Sequence, residues 1–170
     1  NAANLKNIPV EFKTLELCTR AFYQYKYSLQ YFPDKFRTVG LYCTFIKEYP
    51  ELINEIPDEF KVYDVYFALV QSRPMKLEIV PVKFRTIDLC MAAFKIRKAC
   101  LHFFPQELQT TELHMQAVKD HGLHILKTPK HLITDELCKA AIDQHPLVVG
   151  SLDETLQTEA LFIYALEQNI

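Results

Sequence analysis

Apolar residues recur along the chain at spacings of one, three and four, as in Leu89, Cys90, Ala93 and Phe94, and again in Leu137, Cys138, Ala141 and Ile142. That is the rhythm of a helix with one buried stripe, not the alternation of a strand. Each such stretch is expected to run roughly 11 residues, about 16 Å, and in most copies it meets a terminator: Pro50, Pro74, Gly122 or Pro146. Past that point Leu77, Val80 and Phe84 lie three and four apart, as do Ile53, Ile56 and Phe60. The spacing predicts a second, shorter helix, bent or broken at a proline within it. Pro50, Pro74 and Pro146 suit its first turn, where the missing N–H costs nothing.

The pair of elements returns with a fixed period. Pro9, Pro33, Pro57, Pro81, Pro105 and Pro129 stand 24 residues apart, and the next step falls on Asp153. Aligned on that period, IPVEFKT, FPDKFRT, IPDEFKV, VPVKFRT, FPQELQT, TPKHLIT and LDETLQT stack, giving six complete copies and a seventh that stops early. A threonine opens each longer helix (Thr14, Thr38, Thr86, Thr110, Thr134, Thr158) except where Val62 replaces it, and it reads as an N-cap. Acids two positions on, such as Asp88 and Glu112, suit the positive helix end. Leu17, Leu41, Val65, Leu89, Leu113, Leu137 and Leu161 are expected to fill the core, with small Ala21, Ala93, Ala117, Ala141 and Ala165 allowing close helix approach.

Neither helix of a unit can bury its apolar face alone, and stacking solves that problem. The fold class is therefore all-α, an α-solenoid of about seven 24-residue helix-turn-helix units, each a longer helix plus a short kinked one. Residues 1–170 are expected to form a single helical-repeat domain. Solenoid ends normally carry polar caps, whereas the last helix carries Phe162, Ile163, Tyr164 and Leu166. That face points to a longer parent chain, or to self-association through the C-terminal helix.

Composition narrows the partners. With 49% apolar and 24% charged residues and a net charge of -2, the chain has the make-up of a soluble globular protein without the basic excess that nucleic acid demands. No apolar run is long enough for a membrane span. Five cysteines, Cys18, Cys43, Cys90, Cys100 and Cys138, are odd in number and lack CxxC spacing, which favours a reducing compartment over a disulfide framework.

The stretches T-x-x-L-C-x-x-A ending at Ala21, Ala93 and Ala141, with VPVKFRT and FPQELQT, resemble a bacterial family of unknown function. Its tandem helical units follow the pattern E-L-C-x-x-A-V-x-x-N-G-x-A-L-x-x-V-P. The likeness spans nearly the whole chain and departs at the Asn-Gly turn, here Tyr25-Lys26, Tyr49-Pro50, Arg73-Pro74, Arg97-Lys98, His121-Gly122 and His145-Pro146. The resemblance implies a bacterial protein that resides in the cytoplasm or, as an effector, in a host cytosol. It implies no activity.

Catalysis finds little footing. The sequence has no phosphate-binding glycine loop, no HExxH and no GxSxG. Cys18, Cys90 and Cys138 share one helix position with Tyr42, Tyr66, His114 and Phe162, a place expected to be core. A zinc ion would need ligands at about 2.0–2.3 Å, whereas neighbouring helices sit about 8–10 Å apart. His114, His121 and His124 fall within one unit but lack a carboxylate or fourth ligand. No enzyme, metal or cofactor is expected.

Function is expected instead on positions that the fold leaves open. One column closes the longer helix: Tyr25, Tyr49, Arg73, Arg97, His121, His145 and Asn169. Tyrosine and arginine are typical of interface hot spots, and the same residues would also suit capping of helix-terminal carbonyls. A second column, Lys13, Arg37, Lys61, Arg85, Gln109, Ile133 and Gln157, reads either as a basic stripe for an acidic or phosphate-bearing partner or as a solvated face. The leading expectation is a protein-protein interaction scaffold that recognises another protein through the first column. A regulatory domain beside an enzyme and a nucleic-acid-binding repeat are the alternatives, the last disfavoured by charge.

Overall fold

The structure, a computed structural model, describes residues 2–168. Its regular structure there is entirely helical. Seven α-helices follow one another: α1 (Leu15–Gln24), α2 (Val39–Glu48), α3 (Tyr63–Ser72), α4 (Ile87–Ile96), α5 (Thr111–Asp120), α6 (Asp135–Gln144) and α7 (Glu159–Glu167). After each of the first six comes a 3₁₀ connector, Lys26–Tyr31, Pro50–Asn54, Pro74–Ile79, Lys98–Phe103, Gly122–Lys127 or Pro146–Ser151. A three-residue 3₁₀ turn then leads into the next helix, as at Asp34–Phe36 and Val82–Phe84. The described chain divides into two compact units, residues 1–68 and 69–170, the division falling inside α3.

Six threonines start their helices as expected. Each Oγ1 accepts from the backbone N–H three residues on, as in Thr14 to Leu17 at 3.2 Å and Thr134 to Leu137 at 3.2 Å, satisfying a donor that the helix leaves open. Val62 has no hydroxyl to offer, and its carbonyl receives the N–H groups of Val65 and Tyr66.

The shorter element is broken at its proline, as the pattern allowed, but its two pieces are 3₁₀ turns, because each period-marking proline sits at φ near -55° and ψ near 140°. Proline supplies no N–H there and holds the preceding residue extended. Asp153 adopts the same angles, φ -57° and ψ 139°, and turns its Oδ1 onto the Thr155 N–H and hydroxyl.

The end of the longer helix does not always meet a terminator. The break falls where Pro or Gly follows, but equally before Lys26 and Lys98. At every break one residue turns extended, from φ -125° at Tyr49 to -157° at Tyr25 and His121, while its own N–H still bonds the carbonyl four residues back. At the two breaks that neither proline nor glycine follows, the connector packs against its own helix, Lys26–Tyr31 on α1 and Lys98–Phe103 on α4.

In unit 1–68, Phe22 and Phe45 stack at 3.7 Å, Phe32 meets Phe45 edge-on at 6.2 Å, and Tyr42 packs on Phe60 at 5.0 Å. In unit 69–170, α5 lies against α6 and α6 against α7, and each of α4, α5, α6 and α7 packs on the connector of the copy before it. Val118, Ile125, Leu137, Cys138, Ile142, Val148 and Leu161 form a continuous core there. The leucine column is graded, not uniform: Leu89 and Leu137 are fully buried, whereas Leu17 is 36% exposed.

Candidate interaction surface

The first column sits on the break residues, and its backbone and side chains have separate duties. The backbone N–H closes the α-helix, as Arg97 N to Ala93 O at 2.9 Å, and the carbonyl opens the connector, as Arg97 O from Cys100 N at 3.2 Å. Capping is therefore done by the main chain. Among the described residues of the column, two side chains return to the backbone: Arg73 Nη1 donates to Ser72 O at 3.0 Å, and His121 Nδ1 accepts from Leu123 N at 3.4 Å.

The side chains meet different surroundings in the two units. In unit 1–68, Tyr25 is exposed and packs edge-on against Tyr27 at 5.3 Å, while Tyr49 packs on Phe22 at 5.4 Å and Tyr23 at 6.5 Å. In unit 69–170, Arg73, Arg97 and His121 are exposed and His145 is half-buried. The His121 ring lies 4.6 Å from His145 and 5.8 Å from His124. Arg97 and His121 share an open cleft of about 520 Å³ with Leu123, His124 and Lys127. Asn169 lies outside the described residues.

Burial, then repulsion from His121, holds the His124 imidazole below its ordinary range, with Asp120 opposing and Lys127 and His102 adding to the depression. His102 is shifted the same way, first by burial and then by Lys127. Cationic groups crowd this corner, and Asp120, the carboxylate in the cleft lining, lies 3.6 Å from Lys98.

Most of the second column is neither a basic stripe nor a solvated face. The side chains of Lys13, Arg37, Arg85, Gln109 and Gln157 reach carbonyls at or just past the ends of the 3₁₀ connectors, whereas Lys61 and Ile133 do not. Lys13 is buried and donates to Tyr31 O at 3.0 Å, and Arg37 donates to Gln30 O at 2.8 Å. Arg85 places Nε on Val80 O (2.7 Å), Nη1 on Phe103 O (2.7 Å) and Nη2 on Glu78 O (2.9 Å). Gln109 and Gln157 repeat the five-residue reach, to Phe104 O and Leu152 O. Lys61 pairs with Asp58 at 2.8 Å.

The shared cysteine and histidine position is core in the inner copies. Cys18, Cys90 and Cys138 are buried thiols, and burial pushes Cys90 up to about 11; Cys100 elsewhere reaches about 12. A thiol so far above neutrality is a poor nucleophile. His114 is buried between Gln109 Oε1 and Thr128 Oγ1, each at 3.0 Å. Gln109 Nε2 already donates to Phe104 O, which leaves Oε1 to accept from His114 Nε2–H. Among the described residues no group of three or more His, Cys, Asp or Glu is placed to hold a metal ion, and no helix is long and apolar enough to cross a membrane. Comparison with protein-family models, curated proteins and solved structures finds no match to the chain.

Lys127 escaped the sequence reading because its place in the unit is held by Tyr31, Glu55, Ile79, Phe103 and Ser151 in the other copies. No column marks it. The carbonyl-seeking role of the second column did have a signal: long donor side chains recur four residues after five of the six period-marking prolines, Pro129 with Ile133 being the exception.

Proposed function

We propose that the chain is a non-enzymatic protein-protein interaction scaffold, an α-solenoid of 24-residue helical units that recognises a partner through the break column. One observation carries this reading: at Tyr25, Arg97 and His145 the backbone does the capping and leaves the side chain without a hydrogen bond to its own fold among the described residues. Large side chains at such positions are what a repeat protein offers to a ligand. The stacking of α5, α6 and α7 in unit 69–170, with the same break angles recurring along the whole described chain, supports the solenoid. A bacterial source, and a role as the recognition part of an effector, rest on the resemblance of the repeat sequences alone.

A second reading, a regulatory domain beside an enzyme, draws on the apolar face of α7, where Phe162, Ile163 and Leu166 are 41%, 50% and 69% exposed. The test is affinity capture from bacterial and host lysates with the chain and with a variant carrying Arg73→Ala, Arg97→Ala and His121→Ala. Proteins retained by the first and lost by the folded variant support the scaffold. An identical set captured by both removes the column from recognition.

A further inference from the structure

We infer that the cleft between the connectors Lys98–Phe103 and Gly122–Lys127 docks an acidic, partly apolar segment of a partner protein. The inference rests on the scaffold reading and adds the chemistry of what is bound. Arg97 and Lys127 both line the cleft, and neither side chain has an ion-pair or hydrogen-bond partner among the described residues. His121 and His124 stand beside them. The one carboxylate in the lining, Asp120, is engaged with Lys98. The site is thus short of negative charge.

The equivalent positions in unit 1–68 lack that imbalance: three units back, Arg97, Asp120, Leu123 and Lys127 correspond to Tyr25, Glu48, Glu51 and Glu55. The nearby cations of that unit are matched as well, Lys26 with Glu51 at 2.8 Å and Arg37 with Asp34 at 3.4 Å and with the Gln30 carbonyl. Anion preference is therefore a property of one cleft, not of every unit. Charged groups left unmatched on a surface steer and select a partner of opposite sign. Leu123, 46% exposed, supplies an apolar contact in the same lining. Leucine beside arginine and lysine suits a peptide in which carboxylates alternate with apolar side chains. A nucleic-acid backbone asks instead for a continuous basic track without an acid such as Asp120 in it.

The test uses the full chain and a fluorescein-labelled peptide interspersing glutamate with leucine and serine, against the same peptide with glutamine for glutamate. Fluorescence anisotropy is expected to show binding of the glutamate peptide only, weakening as salt rises. Arg97→Gln with Lys127→Gln is expected to weaken it at least about tenfold, while Lys83→Gln with Lys139→Gln leaves it unchanged. Both changes lie at exposed side chains, and circular dichroism checks that each variant is folded. Equal binding of the glutamine peptide, equal losses in the two double variants, no binding of either peptide, or tighter binding of a single-stranded oligonucleotide through Arg97 and Lys127 overturns the inference. Failure here, with lysate capture still dependent on Arg73, Arg97 and His121, leaves the scaffold reading standing; capture indifferent to those residues removes the scaffold reading itself.

Discussion

Replacing Arg85 with methionine keeps the aliphatic stem and removes every donor from the most heavily used member of the second column. Its guanidinium serves Glu78 and Val80 on one side and Phe103 on the other, so one side chain ties two successive connectors together. Hydrogen bonds from a charged donor contribute roughly 1.5–3 kcal/mol each. The three share one group that is only half-buried, so water recovers part of the loss and the sum overstates it; the expected cost is about 2–4 kcal/mol. For a chain of this size that lowers the melting midpoint by about 5–15 °C. Arg85→Gln should fall between, because glutamine at the same place in other copies keeps the bond to the carbonyl five residues back, at 3.0 Å from Gln109 and 2.8 Å from Gln157. Thermal and urea melts followed by circular dichroism give the ranking, and hydrogen exchange locates the loosening at residues 98–104. A methionine variant as stable as the parent, or a glutamine variant no better than methionine, refutes the argument.

Four further outcomes follow from the packing. Ser28 is fully buried and its hydroxyl has no hydrogen-bond partner among the described residues; Ser28→Ala should raise stability by about 1 kcal/mol in urea unfolding. Gly122→Ala should cost about 1–3 kcal/mol, since an added Cβ meets the Ala141 carbonyl at 2.6 Å. Leu89→Ala should cost about 2–5 kcal/mol, whereas Leu17→Ala, at the same place in the unit but 36% exposed, should cost under about 1 kcal/mol in the same assay. Burial foremost, then His124 and His131, holds His114 below its ordinary value of 6.5. The unfolded chain therefore binds the proton more readily, and stability should fall as pH drops below about 6.5, levelling off only under the depressed folded value; His114→Cys, the residue that Cys90 and Cys138 supply there, should flatten the slope of urea midpoint against pH.

Local chemistry was readable where it depends on near neighbours. The threonine caps reach three residues, and the prolines fix their own backbone, so both follow from the residues alone. The position of the break followed too, from the period, but Lys26 and Lys98 carry no terminator, and there the connector packs against its own helix. Arg85 to Phe103 spans eighteen residues; nothing local distinguishes such a reach from a solvated cation. The cleft is harder still, since it joins the recurrent Arg97 and His121 to Lys127, a residue unique to its copy.

Among the described residues no peptide bond is cis and no residue, glycine included, has a positive φ. The extended turn at each break is thus open to nearly any L-amino acid, and Tyr, Arg and His already occupy it with the same main-chain bonds. A backbone that makes no demand on the side chain at that point lets the side chain vary while stability stays put. The column can be rewritten one unit at a time, by selection or in the laboratory, without solving the fold again.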